Sequence, residues 1–190
     1  MTIAAWREAV ARRLDGAAVH PPRGTVYHAL AGEMEAMARS YLADGDFFLS
    51  RGDHVNALAA FSYALGWLDT AVSLGLLSPG DHSCGWLFAP VAVPGEERDR
   101  LVEKAGRYGK MLRAALGCTV PAPEEGTRVR ASCDRIFCAC TVLLEFGDTF
   151  ASRGMAGNAL GAYSYGHGWL DAGVRAGLFR ITGNRVLFAV

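Results

Sequence analysis

The sequence has no excess of charge of either sign, because its 19 Lys and Arg side chains are balanced by 19 Asp and Glu side chains. A neutral chain has no overall attraction for nucleic acids or acidic membranes, so neither is expected as a partner. No apolar run reaches the ~18 residues of a membrane-spanning helix. The first residues carry Arg7, Glu8, Arg12 and Arg13 within their apolar pattern, which does not match a signal peptide.

The sequence also lacks a cysteine framework. Its five cysteines are odd in number and unevenly spaced, which is not the pattern of a disulfide-bonded domain. Free thiols are typical of a reducing compartment, so we expect a cytoplasmic protein. Cys133, Cys138 and Cys140 lie close together, but no second pair of ligands accompanies them, and no metal site is predicted. We expect them to be small buried thiols on a helix.

What the sequence does contain is an internal repeat. Residues 42–76 and 144–178, which are 102 positions apart, are identical at 20 of 35 positions without a gap. The match continues more weakly on both sides. The chain is therefore predicted to be a tandem duplication, with copy one at residues 1–88 and copy two at 103–190. Residues 89–102 are predicted to be a linker that ends as helix.

Apolar residues at helical spacing predict three helices in each copy. The helices of copy one are expected over residues 2–14, 26–50 and 54–76. Thr25 and Asp53 have side chains that can accept hydrogen bonds from the first free N–H groups of a helix, so both are expected to be N-caps. The sequence predicts an all-α protein in which two duplicated three-helix units pack as a helical bundle about a pseudo-twofold axis.

The third helix of each copy is patterned on two faces, which predicts that it is buried from two directions in the middle of the bundle. Gly66 and Gly75 recur in copy two and cost helix stability, so we expect another helix to approach closely at both. Short extended segments are expected after each third helix, at the β-prone residues 86–88 and 186–188. They are predicted either to pair as antiparallel strands across the pseudo-twofold axis or to pack on their own helices.

The polar and aromatic residues that both copies retain are the candidate ligand-binding residues, namely Asn56, Tyr63, Trp67, Asp69, Asn158, Tyr165, Trp169 and Asp171. A buried carboxylate needs partners, so one interpretation of Asp69 and Asp171 is structural, with a helix terminus, a Tyr hydroxyl or a Trp indole as the hydrogen-bond donor. The alternative is that the Asn, Tyr and Asp side chains line a pocket between helices, where bundles often place ligand sites.

No catalytic template is present. The sequence has neither a phosphate-binding Gly-rich loop with Lys nor a His pair at metalloprotease spacing. None of the five His residues falls on a His of the other copy, and His167, opposite Leu65, is interpreted as structural. Asp44 and Asp46 suggest paired carboxylates, but copy two keeps only Asp148. No catalytic residue, cofactor or metal is therefore predicted.

The repeated motif resembles a small archaeal family classed as domain of unknown function 357. Its pattern is a Gly-Asp, an Asn-Ala-Leu, a Ser-Tyr-Ala and a Gly-Trp-Leu-Asp-Ala-Gly. Copy one matches at residues 52–53, 56–58, 62–64 and 66–69, and copy two at 154, 158–160, 164–165 and 168–173. Copy two departs at Met155 and Gly166, and copy one at Thr70 and Ala71. The resemblance implies an all-helical, archaeal, cytoplasmic protein with no known activity.

The sequence leaves three function classes open. The first is a non-enzymatic scaffold or partner-binding module, acting with an unknown protein partner or by self-association. It rests on the missing catalytic template and on the two-sided apolar helix. The second is a helical protein that binds or processes a small molecule or a nucleotide at the interface of the repeats. An RNA-associated domain is a third class, against which the neutral charge argues.

Overall fold

The computed structural model describes residues 1–78 and 89–189. The described residues form six α-helices, three in each copy: α1 (Ile3–Asp15), α2 (Val26–Ser50), α3 (His54–Ser73), α4 (Arg98–Gly117), α5 (Arg128–Ser152) and α6 (Ala156–Arg175). The prediction of an all-α protein built from duplicated three-helix units is confirmed. None of the helices in this described part of the chain is both long and apolar enough to cross a membrane.

The helices begin and end where local chemistry requires. Thr25 and Asp53 each accept a hydrogen bond from the backbone N–H three residues further on, at 3.1 and 3.0 Å, and are the predicted N-caps. α3 ends at Ser73, three residues before its expected end. Gly75 follows with a φ of +71°, a left-handed conformation typical of a helix terminator. No atom lies within 4 Å of a methyl group added at Gly75, so the predicted close approach is wrong there.

The centre of the bundle is the contact between α3 and α6, both of which are buried along nearly their whole length. α1 and α2 pack on α3, while α4 and α5 pack on α6. A methyl group added at Gly66 would lie 2.5 Å from the backbone oxygen of Tyr165, and one added at Gly168 would lie 2.5 Å from that of Tyr63. This reciprocal contact confirms the close approach predicted at Gly66 and fits a pseudo-twofold relation between the copies.

In each copy, a short segment after the first helix pairs with a short segment after the third helix. In copy two, β1 (Thr119–Pro121) and β2 (Phe179–Ile181) form an antiparallel pair. In copy one, the equivalent contact is a single bridge between Val19 and Leu77. Each third helix is therefore followed by an extended segment, as expected, but it lies earlier in the chain than the β-prone runs.

The β-prone runs themselves do not supply a strand in the described residues. Arg185–Leu187 form a turn of 3₁₀ helix, so the strand prediction for residues 186–188 is wrong at its first two positions. Phe188 has extended dihedrals but pairs with no described strand. Residues 86–88, the other half of the proposed pair, lie outside the described part of the chain.

The close contact at Gly66 predicts a large effect of a single methyl group. Gly66→Ala is expected to lower the free energy of unfolding by about 3 kcal/mol, because the methyl would press on backbone that cannot move aside alone. Gly32→Ala is the matched control, since Gly32 is an exposed position in α2 with open space around it. The control is expected to gain about 0.5–1 kcal/mol from helix propensity. Urea denaturation of both variants measures the difference, and equal effects would contradict the close contact.

Candidate functional site

A cavity of about 320 Å³ lies between the two copies, beside the contact of α3 with α6. Copy one supplies one wall from α2 and α3, and copy two supplies the other from α4, α6 and the segment after the last helix. The lining side chains are mostly aromatic or apolar, with a few charged or polar groups among them: Tyr41, Asp44, Phe48, Asn56, Ala59, Ala60, Tyr63, Lys104, Tyr108, Met111, His167, Asp171, Val186, Leu187, Phe188 and Ala189.

Two tyrosine–aspartate hydrogen bonds cross between the copies. The Tyr63 hydroxyl donates to Asp171 Oδ2, and the equivalent Tyr165 hydroxyl donates to Asp69 Oδ2 at 2.6 Å. Burial, reinforced by the facing carboxylate, raises the pKa of both tyrosines well above its usual value, so both stay protonated donors. The structural interpretation of the two aspartates, with a Tyr hydroxyl as donor, agrees with this geometry.

The two aspartates differ in what else surrounds them. Asp69 is paired with Arg13 of α1, whose Nη1 donates to Oδ2 at 3.0 Å and whose Nη2 donates to Oδ1. Arg13 is only 7% exposed, so a full buried charge is neutralised by a two-point hydrogen-bonded ion pair. The position equivalent to Arg13 in copy two is Ala115. The same frame, by which we mean an aspartate of the third helix and the tyrosine hydroxyl that donates to it, therefore exists twice. The frame of Asp69 is closed by an arginine, whereas the frame of Asp171 has no arginine and is called open; the halves of the molecule around them are the closed half and the open half.

Asp171 is the carboxylate without the arginine, and it is 1% exposed. Its Oδ2 accepts hydrogen bonds from Tyr63 and from the backbone N–H of Ala189 at 3.2 Å. Its Oδ1 accepts no hydrogen bond from any residue that the structure describes. His167 Nε2 lies 3.9 Å from Oδ1 and makes its hydrogen bond to the Leu187 oxygen at 2.7 Å. Burial raises the pKa of Asp171, against the opposing effects of His167 and of the two hydrogen bonds.

A further polar group of the cavity is the buried amine of Lys104 on α4. Lys104 Nζ donates to Asn56 Oδ1, whose amide nitrogen in turn donates to Asp53 Oδ2 at 2.6 Å. Burial lowers the pKa of Lys104. In copy two, Asn158 instead accepts a hydrogen bond from the Val91 N–H at 3.2 Å and donates to a linker carbonyl at 2.9 Å. The equivalent asparagines thus have different partners: Asn56 binds Lys104 beside the cavity, and Asn158 binds the backbone of the linker.

The eight predicted site residues do not lie together in the structure, and fewer than half of them line the cavity. Asn56, Tyr63 and Asp171 line the cavity. Asp69 and Tyr165 form the closed frame with Arg13, and Asn158 holds the linker. Trp67 is fully buried in the core, and Trp169 is partly buried against Tyr165, with ring centroids 6.3 Å apart.

Several residues of the cavity are not among the predicted site residues, because that prediction rests on the polar and aromatic residues that both copies share. Lys104, Tyr108 and His167 correspond to Thr2, Trp6 and Leu65 of copy one. Asp44 also lines the cavity, while its suggested partner Asp46 pairs with Arg7. The signal that would have found these residues is the set of positions at which the copies differ.

The cysteines do not add to this site. Cys133 and Cys140 are buried in α5, as predicted, whereas Cys138 is exposed, which contradicts the expectation for that residue. Burial raises the pKa of both buried thiols and keeps them protonated. Cys84 lies outside the described residues. Within residues 1–78 and 89–189, no group of three or more His, Cys, Asp or Glu side chains could hold a metal ion.

The two equivalent aspartates are expected to respond in opposite ways to the same substitution. Asp69→Asn leaves Arg13 buried without its counter-charge, so the free energy of unfolding should fall by about 3 kcal/mol. Asp171→Asn removes a buried carboxylate that has no such partner and should leave stability at pH 7 equal or higher. Thermal unfolding of both variants beside wild type measures this, and an equal loss in both would contradict the asymmetry.

The pH dependence of Asp171→Asn follows from the same burial. Since the pKa of Asp171 is higher in the folded than in the unfolded chain, its protonated form stabilises the fold at low pH. This contribution is lost as the pH rises through the folded-state pKa. The advantage of Asp171→Asn over wild type should therefore grow as the pH is raised from 4 to 8. A difference that stays constant over that range would count against a raised pKa.

The repeated unit is also the unit that known proteins share. A family described as a protein of unknown function (DUF357) matches residues 5–77 and again residues 107–179. Searches of curated proteins and of solved structures found no significant match. The family description names no activity, so the cavity and its charges are what the function has to be argued from. The two matches together cover most of the sequence, and the chain belongs to the DUF357 family, whose domain it contains twice in tandem.

Proposed function

We propose that this protein binds a small molecule in the cavity between its two copies. One observation carries the proposal: Asp171 is buried, lines the cavity, and has an oxygen that accepts no hydrogen bond from the described residues. An incompletely paired carboxylate in a protein interior is costly. A bound ligand that donates to this oxygen would remove that cost, which gives the site a reason to keep the aspartate.

The size and lining of the cavity support a small, partly apolar ligand. Its volume of about 320 Å³ is near the lower end of the range for ligand pockets. The rings of Tyr41 and Tyr63 lie with centroids 4.3 Å apart on one wall, and those of His167 and Phe188 lie 6.4 Å apart on another. Aromatic walls with a few polar groups that fix orientation are typical of small-molecule sites.

Binding is better supported than the scaffold role. A scaffold has no need of a buried aspartate beside a cavity, whereas a ligand site does. We propose binding without a catalytic step, since Tyr63 donates to Asp171, His167 is bonded to a backbone oxygen and Lys104 donates to Asn56, which leaves the carboxylates of Asp171 and Asp44 as acceptors for a ligand. Association with a protein partner or with a second copy stays a prediction.

A cytoplasmic location is part of the proposal. The four described cysteines, Cys118, Cys133, Cys138 and Cys140, are all free thiols, which fits a reducing compartment. The resemblance to an archaeal family is what suggests an archaeal source. Fractionation of the native cells would test the location.

Ligand discovery on matched variants tests the binding proposal. Native mass spectrometry of the purified protein and thermal-shift measurements against a library of small metabolites should identify a ligand that raises the melting temperature of wild type. Asp171→Asn is expected to lose at least ten-fold in affinity, because the ligand's buried polar contact is gone. Asp134→Asn is the control, since it removes the same charge from an exposed position on α5.

Two outcomes would contradict the proposal. A ligand that binds Asp171→Asn and wild type equally well has its site elsewhere. A library screen and native mass spectrometry that both find no ligand would favour the scaffold hypothesis.

A further inference from the structure

The geometry points to a cationic ligand, with a planar amidinium or guanidinium group that pairs with Asp171 as Arg13 pairs with Asp69. The inference rests on the proposed function and names the chemical class of its ligand. It follows from comparing the two halves of the molecule, because in one half the side chain of Arg13 already binds the aspartate. Such groups present two or more N–H donors in one plane and match a carboxylate at two points.

The two frames share their aspartate and their tyrosine. Each has an aspartate on the third helix of one copy, and a tyrosine from the other copy donates to Oδ2 of that aspartate. Each lies beside the same close contact of α3 with α6. Two residues differ at the carboxylate: Arg13 of copy one is replaced by Ala115 in copy two, and Leu65 of copy one is replaced by His167. Copy two has therefore kept the acceptor and the tyrosine without the guanidinium that completes them.

The unused acceptor defines what the ligand has to supply. In the closed frame, Arg13 donates to both oxygens of Asp69. In the open frame, the backbone N–H of Ala189 occupies Oδ2 of Asp171 together with Tyr63, and Oδ1 is left without a donor among the described residues. A planar cation whose N–H groups reach Oδ1 restores both the missing hydrogen bond and the missing charge.

Among the residues that the structure describes, the charged groups around Asp171 do not already supply that cation. Lys104 lines the same cavity, but its amine donates to Asn56. His167 is directed to the Leu187 oxygen, and its Nε2 lies 3.9 Å from Asp171 Oδ1, beyond hydrogen-bond distance. Asp44, the other carboxylate on the lining, adds negative charge. The site is thus provided with acceptors for a cation.

The rest of the cavity suits the body of such a ligand. In the closed half, the ring of Trp6 packs beside Gly161, with 3.6 Å between its Cη2 and a methyl added there. Gly161 corresponds to Ala59, which lines the cavity in the open half. In the open half, Tyr108 stands where Trp6 stands in the closed half, and it gives the cavity an aromatic surface for the body of a ligand. The guanidinium of Arg13 is the group without a counterpart, so the ligand that we infer carries an amidinium or guanidinium on an aromatic or apolar body. Aromatic faces such as Tyr41 and Tyr63 also attract cations.

Benzamidine and benzamide are the probes for this inference, since they share one shape and differ in charge and donors. Isothermal titration calorimetry on the full chain should show benzamidine binding at least ten-fold more tightly than benzamide. The difference should disappear in Asp171→Asn and persist in the control Asp134→Asn. Equal binding of the two probes, or equal binding of benzamidine to wild type and Asp171→Asn, would overturn the inference. No binding of either probe at millimolar concentration would also overturn it. A library ligand that needs Asp171 would leave the proposed function intact in each case.

A second variant tests the comparison between the halves from the closed side. Arg13→Ala removes the occupant of the Asp69 frame and is expected to lower the melting temperature. Ethylguanidinium, which has the end of the arginine side chain, should restore part of that loss at millimolar concentration, and the neutral ethylurea should not. Equal effects of the two compounds on the variant, or equal effects of ethylguanidinium on the variant and on wild type, would overturn the equivalence of the frames.

Discussion

The close contact of α3 with α6 is the constraint on which the rest of the structure depends. At Gly66 and Gly168 the two backbones approach so closely that neither position has room for a methyl group. That approach brings the tyrosine of each copy to the aspartate of the other. The cavity exists beside this contact because the wall from copy one and the wall from copy two meet there. The glycines therefore set the positions of the tyrosine and aspartate side chains through the close approach of the two backbones.

The electrostatic difference between the two halves has a simple origin. Both halves bury a carboxylate next to a tyrosine hydroxyl, but only one half has an arginine to compensate the charge. In that half the pair is a structural element that holds α1 to α3. In the other half the carboxylate is left with two donors on one oxygen and a histidine nearby. The loss of the arginine at one of two equivalent positions leaves a buried carboxylate without its cation, beside a cavity whose lining also differs between the copies at Lys104, Tyr108 and His167.

Much of the fold is predictable from the sequence because it rests on local or periodic signals. The apolar spacing gives the helices, and Thr25, Asp53 and Gly52 mark their ends through side-chain caps and a left-handed glycine. The two-sided pattern of the third helix gives its central place. Gly75 shows the limit of such reasoning: the pattern cannot distinguish a glycine required by a neighbouring helix from one that ends its own.

The candidate site is only partly predictable, because its residues come together across long stretches of sequence. The repeat identified Asn56, Tyr63 and Asp171 as retained polar residues, and these do line the cavity. It could not show that Arg13, 56 residues before Asp69, would close the equivalent frame. A charged residue within an amphipathic helix has the same pattern whether it faces water or a buried carboxylate. Pairings of this kind depend on helix packing, which no local signal specifies.

The tyrosine of each copy donates to the aspartate of the other copy, as in a symmetric dimer, but here the two copies are parts of one chain. If the same frames were built from two separate, identical chains, every substitution would appear twice, and an arginine that closed one frame would close both. Joining the copies in one chain removes that obligation. The single peptide link through the linker lets α1 and α4 carry different residues at equivalent positions, so that a symmetric scaffold holds one filled frame and one open frame at the same time. The covalent connection thus allows the two frames to differ, which two identical chains related by symmetry could not do.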